Sequence, residues 1–263
     1  MNGEALKEKM KQDAYIYGTH IAGLDGATDT EQIDEIGLDF VFICQERIPL
    51  SREKVSVLCQ HFASCGISPM VRISCCDTNI ALMAVEDGAE GIIVPYVEEL
   101  LQIEDIINAL KYRPLKGKYL DDIASGEVVP PKKLRDYIRE YNKDVYLIAG
   151  IESVPAIDNL DGFLDCEDVY AMLLEPHNIS CSMGLPCEYD NPRFTELMCS
   201  TIRRCRENGK PVGVHCDYGV EISRPFLEAG ANFIINDSVA TKSVQTLKAD
   251  FEHIKRVYEK ENK

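Results

Sequence analysis

Eight short runs of the chain are apolar at nearly every position, and amphipathic stretches separate them. The runs are YIYGTHIAG at 15–23, DFVFICQ at 39–45, SPMVRIS at 68–74, GIIVPYV at 91–97, VYLIAGIES at 145–153, DVYAMLLEP at 168–176, KPVGVHC at 210–216 and ANFIINDS at 231–238. Strands with one wet face alternate apolar and polar residues, whereas strands covered by helices on both faces do not, and these runs are of the second kind. The stretches between them, such as SREKVSVLCQHFASCG and NPRFTELMCSTIRRCRENG, carry apolar residues at helical spacing and end at a glycine, a common helix terminator. Eight such units predict an α/β fold, a closed (β/α)8 TIM barrel rather than an open doubly wound sheet.

One interval breaks the rhythm. Residues 111–144 hold the irregular KYRPLKGKYLDDIASGEVVPP and then a helical KKLRDYIREYN. We expect a rim excursion after the fourth strand, on the side where βα loops build barrel active sites. No repeat, low-complexity tract or linker is evident, so residues 1–263 are expected to form a single barrel domain, which 45% hydrophobic residues suffice to fill.

Charge narrows the choice of partner. A net charge of −16 disfavours nucleic acid and anionic membrane surfaces, both of which reward basic patches. No segment approaches the roughly 18 apolar residues that cross a bilayer, and the opening MNGEALKEKMKQDAYIYG lacks the apolar core of a secretion signal, so a cytoplasmic location is expected. The 11 cysteines are scattered, with Cys75-Cys76 the only close set and no CxxC clamp, and read as reduced, small hydrophobes. P-loop, G-x-G-x-x-G, G-x-S-x-G and H-E-x-x-H motifs are absent.

In a barrel, polar residues just past the strand C-termini carry chemistry. Here these are Gln45, Glu46 and Arg47, then Arg72, Glu98, Glu152, Glu175, His177 and Asn178, and His215 with Asp217. Arg72 ends an apolar run and keeps its charge, so it must meet an acid or an anionic ligand; Glu46 is a candidate internal partner. Glu152 projects a carboxylate from the fifth run, suited to a hard cation such as magnesium or manganese, to which Glu175, His177 and Asn178 offer further donors.

From about residue 5 to about 255 the chain resembles the HpcH/HpaI aldolase and citrate lyase family. The resemblance is carried by GLDFVFI with Glu46 and Pro49, VRI with Arg72, Asp77, GAEGIIVPYVE, IES with Glu152, EPHNISCSMGLP and GKPVG. It implies a (β/α)8 barrel that cleaves or forms 2-keto acids through a metal-bound pyruvate enolate, assembled as a homo-oligomer, a hexamer built from dimers. It implies catalytic roles for Arg72, which grips the pyruvyl oxygens, and for Glu46; Arg47, standing in the family histidine's place, and His177, at a strand end, are further catalytic candidates. Substrate contacts are expected from Arg72, Pro176, Asn178 and Ser180, and metal ligation from Glu152, Asn178 and Glu175. Asp77 matches a position that works across a subunit boundary.

The departures fall where the chemistry is. The family base histidine reads Arg47, the glutamine of Q-I-E reads Gly150, and the glycine and aspartate of G-P-x-D-L-S read Glu175 and Asn178. Arginine cannot accept a proton at neutral pH, and an amide in place of a carboxylate implies a magnesium or manganese ion held weakly or not at all. The expected function is therefore a divergent metal-dependent carbon–carbon lyase acting on a 2-keto acid. The alternatives are a lyase on another carboxylate, with His177 or His215 as base and no tight metal, and a catalytically silent barrel that binds a metabolite or partner subunit.

Overall fold

A computed structural model describes residues 1–258 apart from 13, 22–32, 35, 217–219 and 239–242, with the backbone alone at 216, 220–222, 236–238, 257 and 258. Eight strands close in chain order into a parallel barrel. They are β1 (Ile16–Ile21), β2 (Phe40–Cys44), β3 (Ser68–Arg72), β4 (Gly91–Val94), β5 (Tyr146–Ile151), β6 (Val169–Leu174), β7 (Val212–Cys216) and β8 (Phe233–Ser238), each inside one of the apolar runs. Register places Cys44 beside Arg72 and Val214 beside Leu174, so the strand C-termini, with the residues that follow them, share one mouth.

Both faces of each strand are buried, which is why the runs do not alternate. The inner face packs Phe40, Phe42, Met70, Tyr146, Ile148, Leu173 and Phe233 into the lumen, and the outer face packs against the helices. Rings fill the lumen because glycines make way for them: a Cβ on Gly213 would lie 2.2 Å from the Phe233 ring and 2.8 Å from the Phe233 carbonyl oxygen. At the opposite end from the mouth, Leu6 and Met10 of the helix Gly3–Lys11 enter the same apolar cluster and stopper the barrel.

The excursion at 111–144 is helical in two places, Gly117–Ala124 and Lys132–Tyr141, but it lies at that stoppered end and not at the mouth. The helix Glu104–Lys111 has already carried the chain back from β4, so an insertion after it can only precede β5. Lys111 pairs with Asp168 at 2.7 Å, just before β6, and the segment lines a cavity of about 980 Å³ with Glu4, Lys7 and Tyr146. The expected rim position is thus corrected. No helix among the described residues is long and apolar enough to cross a membrane, and the described cysteines are free thiols.

Candidate active site

Arg72, the last residue of β3, is 2% exposed and carries its guanidinium into the barrel mouth. A charge so far from water must be compensated, and four neighbours do this. Its NH1 donates to Glu175 Oε1, its NH2 to Cys44 Sγ at 3.3 Å, its Nε lies 3.0 Å from Glu46 Oε2 without hydrogen-bond alignment, and the guanidinium carbon sits 5.2 Å from the Phe42 ring centroid. Burial works against the charge, but Glu175, Cys44 and Glu46 outweigh it and hold the guanidinium above its ordinary range.

Glu175, which follows β6, accepts from Arg72 and also lies 3.2 Å from Nδ1 of His215 on β7. Burial opposes its ionisation, yet His215, Arg72 and Arg47 together keep it below the ordinary carboxylate range. One carboxylate therefore joins a fixed cation to an imidazole.

Glu152, 1% exposed, forms a second group beside the first. Its Oε1 accepts from Tyr96 N at 3.1 Å, its Oε2 accepts from Asn178 Nδ2, and Arg47 NH2 donates to Asn178 Oδ1 at 3.1 Å. Burial, then the neighbouring Glu175, raises this carboxyl to about 7, although Arg72, Asn178 and the Tyr96 amide pull the other way. The two carboxyls of the mouth are thus shifted in opposite directions, Glu152 up toward neutrality and Glu175 down.

Arg72, Glu46, Arg47, Glu152, Glu175, Asn178 and His215 share the mouth, as their positions after apolar runs lead one to expect. His177 is not joined to them: its ring is exposed among Cys187 Sγ at 3.6 Å, Tyr189 OH at 3.4 Å and Cys181 Sγ at 4.0 Å. Pro176 is the buried first residue of the helix Pro176–Ser182. The hydroxyl of Ser180 is engaged within the turn, donating to His177 O at 2.8 Å and accepting from Cys187 N at 3.2 Å. Glu98 accepts from Ser153 Oγ at 2.6 Å on the rim, and Asp77 caps the helix Thr78–Glu86 through the amides of Asn79 and Ile80. Asp217 lies outside the described residues.

Sequence reasoning missed Tyr96. It sits just past β4 with φ of 50°, a left-handed conformation unusual for an aromatic residue, and the residue is 52% exposed. Nothing in the pattern GIIVPYV signals that backbone. Gly150 is the other feature visible only in the fold: a Cβ there would lie 2.8 Å from Val94 O and 2.9 Å from Glu152 Oε1.

A profile of the HpcH/HpaI aldolase/citrate lyase family matches residues 25–241. The chain belongs to that family. This HpcH/HpaI protein is 25% identical over 198 residues to a 2-keto-3-deoxy-L-rhamnonate aldolase of Escherichia coli (strain K12), spanning 75% of this chain and 73% of the relative. Its fold is similar to that of an HpcH/HpaI aldolase from Desulfitobacterium hafniense DCB-2, with a TM-score of 0.77 and 22% identity over 96% of this chain and 97% of that one. A family protein from Burkholderia cenocepacia J2315 gives 0.75 and 19% identity over 97% and 99%. By family, this HpcH/HpaI protein is an enzyme of the carbon–carbon lyase type.

The donors in this mouth do not fit the divalent cation that the resemblance implies. Both oxygens of Glu152 accept hydrogen bonds, the amide oxygen of Asn178 faces a guanidinium, and Glu175 is held by Arg72 and His215. A hard cation needs several anionic or carbonyl oxygens turned toward one point, and here it must also compete with a proton on Glu152. Asn178→Asp supplies a second carboxylate beside Glu152, and its pairing with the exposed Arg47 is a weak competitor. We expect the substitution to tighten manganese binding by about tenfold or more. Calorimetric titration checks this; unchanged affinity, with binding that Glu175→Gln removes, would make Glu175 the ligand instead.

Proposed function

We propose that this protein is a carbon–carbon lyase acting on 4-hydroxy-2-oxo acids through a pyruvate enolate, with Arg72 holding the oxo-acid oxygens and His215 moving the proton. The observation that carries the reading is the shared carboxylate of Glu175, which touches both the buried guanidinium and the imidazole.

Cleavage of such a substrate removes the proton of the C4 hydroxyl, breaks the C3–C4 bond as the aldehyde forms, and leaves the electron pair on the C2 oxygen as an enolate. Arg72 is a fixed positive charge in a water-poor mouth, so it stabilises that oxygen more in the transition state than in the ground state. His215, oriented through Nδ1 by Glu175, takes the hydroxyl proton and returns one to C3. Glu46 and Cys44 hold the guanidinium in place. Arg47 and Asn178 extend the polar wall toward Glu152, and the exposed Tyr96 ring provides an apolar contact for the aldehyde portion.

The test is pyruvate release from a panel of 4-hydroxy-2-oxo acids, with oxaloacetate decarboxylation alongside, each with chelator and with added manganese. Turnover that persists in chelator is the expected result. Turnover only with manganese would return the enolate to a metal, and no turnover under either condition would leave the silent barrel as the reading to adopt.

A further inference from the structure

We propose that Asp34, His61 and Cys65 form a binding site for a thiophilic divalent metal of the zinc class, at the end of the barrel opposite the mouth. His61 and Cys65 lie four residues apart, at the last turn and C-cap of the helix Arg52–Ser64, so their side chains rise from one helical face. Asp34 faces them from the segment that precedes β2.

The distances match a tetrahedral ion. Asp34 Oδ2 lies 3.3 Å from His61 Nε2 and 3.2 Å from Cys65 Sγ, and the sulfur lies 3.9 Å from Nε2. Bonds of about 2.3 Å to sulfur and about 2.0 Å to nitrogen and oxygen, set at the tetrahedral angle, separate sulfur from either lighter ligand by roughly 3.5 Å and nitrogen from oxygen by roughly 3.3 Å. Movements of a few tenths of an ångström bring all three onto one ion. Among the described residues no other three His, Cys, Asp or Glu side chains bring their ligand atoms within 4.8 Å of one another.

An independent feature of the site asks for a ligand. Asp34 Oδ1 is buried and has no hydrogen-bond partner, a costly arrangement for a carboxylate oxygen unless something else satisfies it. A cation bound to the carboxylate lowers that cost directly. The donor set, one sulfur, one imidazole nitrogen and one carboxylate, selects zinc or a similar borderline-soft ion over magnesium or calcium. Binding releases the thiol proton, so affinity rises with pH; in the metal-free protein desolvation and the hydrogen bond to Asp34 hold that thiol above its ordinary range. With three protein ligands, the fourth position falls to water or to Asp34 Oδ1, and the ion ties the segment before β2 to the helix that leads into β3.

Cobalt(II) titration of the full chain tests the site, because a thiolate ligand gives a charge-transfer band in the near ultraviolet and zinc displaces the ion. We expect one equivalent of cobalt to give the band, Cys65→Ser to abolish it, and Asp34→Asn and His61→Gln each to weaken binding by about tenfold or more. Cys187→Ser and Glu152→Gln, which alter other thiol and carboxylate groups, leave the band intact. Absence of the band, its survival in Cys65→Ser with native circular dichroism, or its loss in Cys187→Ser overturns the proposal. None of these outcomes depends on lyase turnover.

Discussion

Arg72→Lys lowers kcat/KM for oxo-acid cleavage by roughly 10²–10³-fold, the effect of removing one preorganised donor from a developing oxyanion. Lysine keeps the charge but not the fork that reaches Glu175 and Cys44 at once. The fall is expected mainly in kcat, since the charge Arg72 meets grows as the bond breaks. Arg72→Met goes further and removes the buried cation that both Glu175 and Glu46 meet; breaking a buried pair in this way costs about 3–5 kcal/mol of stability. Steady-state kinetics of the lysine variant and urea denaturation of the methionine variant measure the two effects. A lysine variant with wild-type kcat would remove Arg72 from the chemistry, whatever the methionine variant does to the fold.

The second large effect is on stability against pH, and it belongs to Glu152. Its carboxyl is raised from 4.5 to about 7 in the folded protein. A carboxyl raised on folding favours the native state when neutral, so this contribution is complete below pH 4.5, the ordinary value, and is lost as pH rises to about 7. The loss is on the order of 3 kcal/mol. Glu152→Gln cannot ionise and escapes it, so denaturation midpoints of the variant and the wild type diverge across that window and run parallel above it. Parallel curves throughout would mean that Glu152 is already ionised, and with it the argument that a proton competes for its oxygens would fail.

Much of the fold is legible in the sequence because burial on both strand faces writes itself as uninterrupted apolar runs, and each of the eight strands lies inside one. The excursion was harder to place. Its composition reads the same at either end of a barrel, and only the short helix Glu104–Lys111, which returns the chain before the insertion begins, decides the matter. The positions of Arg72, Glu152 and Asn178 were readable from where the runs stop. The partners of Glu175 were not, since Arg72 and His215 lie 103 and 40 residues away and only closure of the barrel brings them to it. The bonds of the Ser180 hydroxyl, set by a tight local turn through Cys187, are likewise not readable from the sequence. Tyr96 carries no mark in the sequence, because a left-handed tyrosine is held by a carboxylate from the neighbouring strand.

Gly150 bears on how this site can change. The family's Q-I-E places a glutamine where this chain has glycine, and here even the first carbon of such a side chain would meet Val94 O and Glu152 Oε1. Glu152 in turn is fixed by Tyr96 and Asn178, so a glutamine is admitted only after those contacts have moved. The substitutions in this mouth therefore have an order: a path back to the family's residues passes through Asn178 and the strand end at Tyr96 before it reaches Gly150, and a library that varies Gly150 alone explores a closed door.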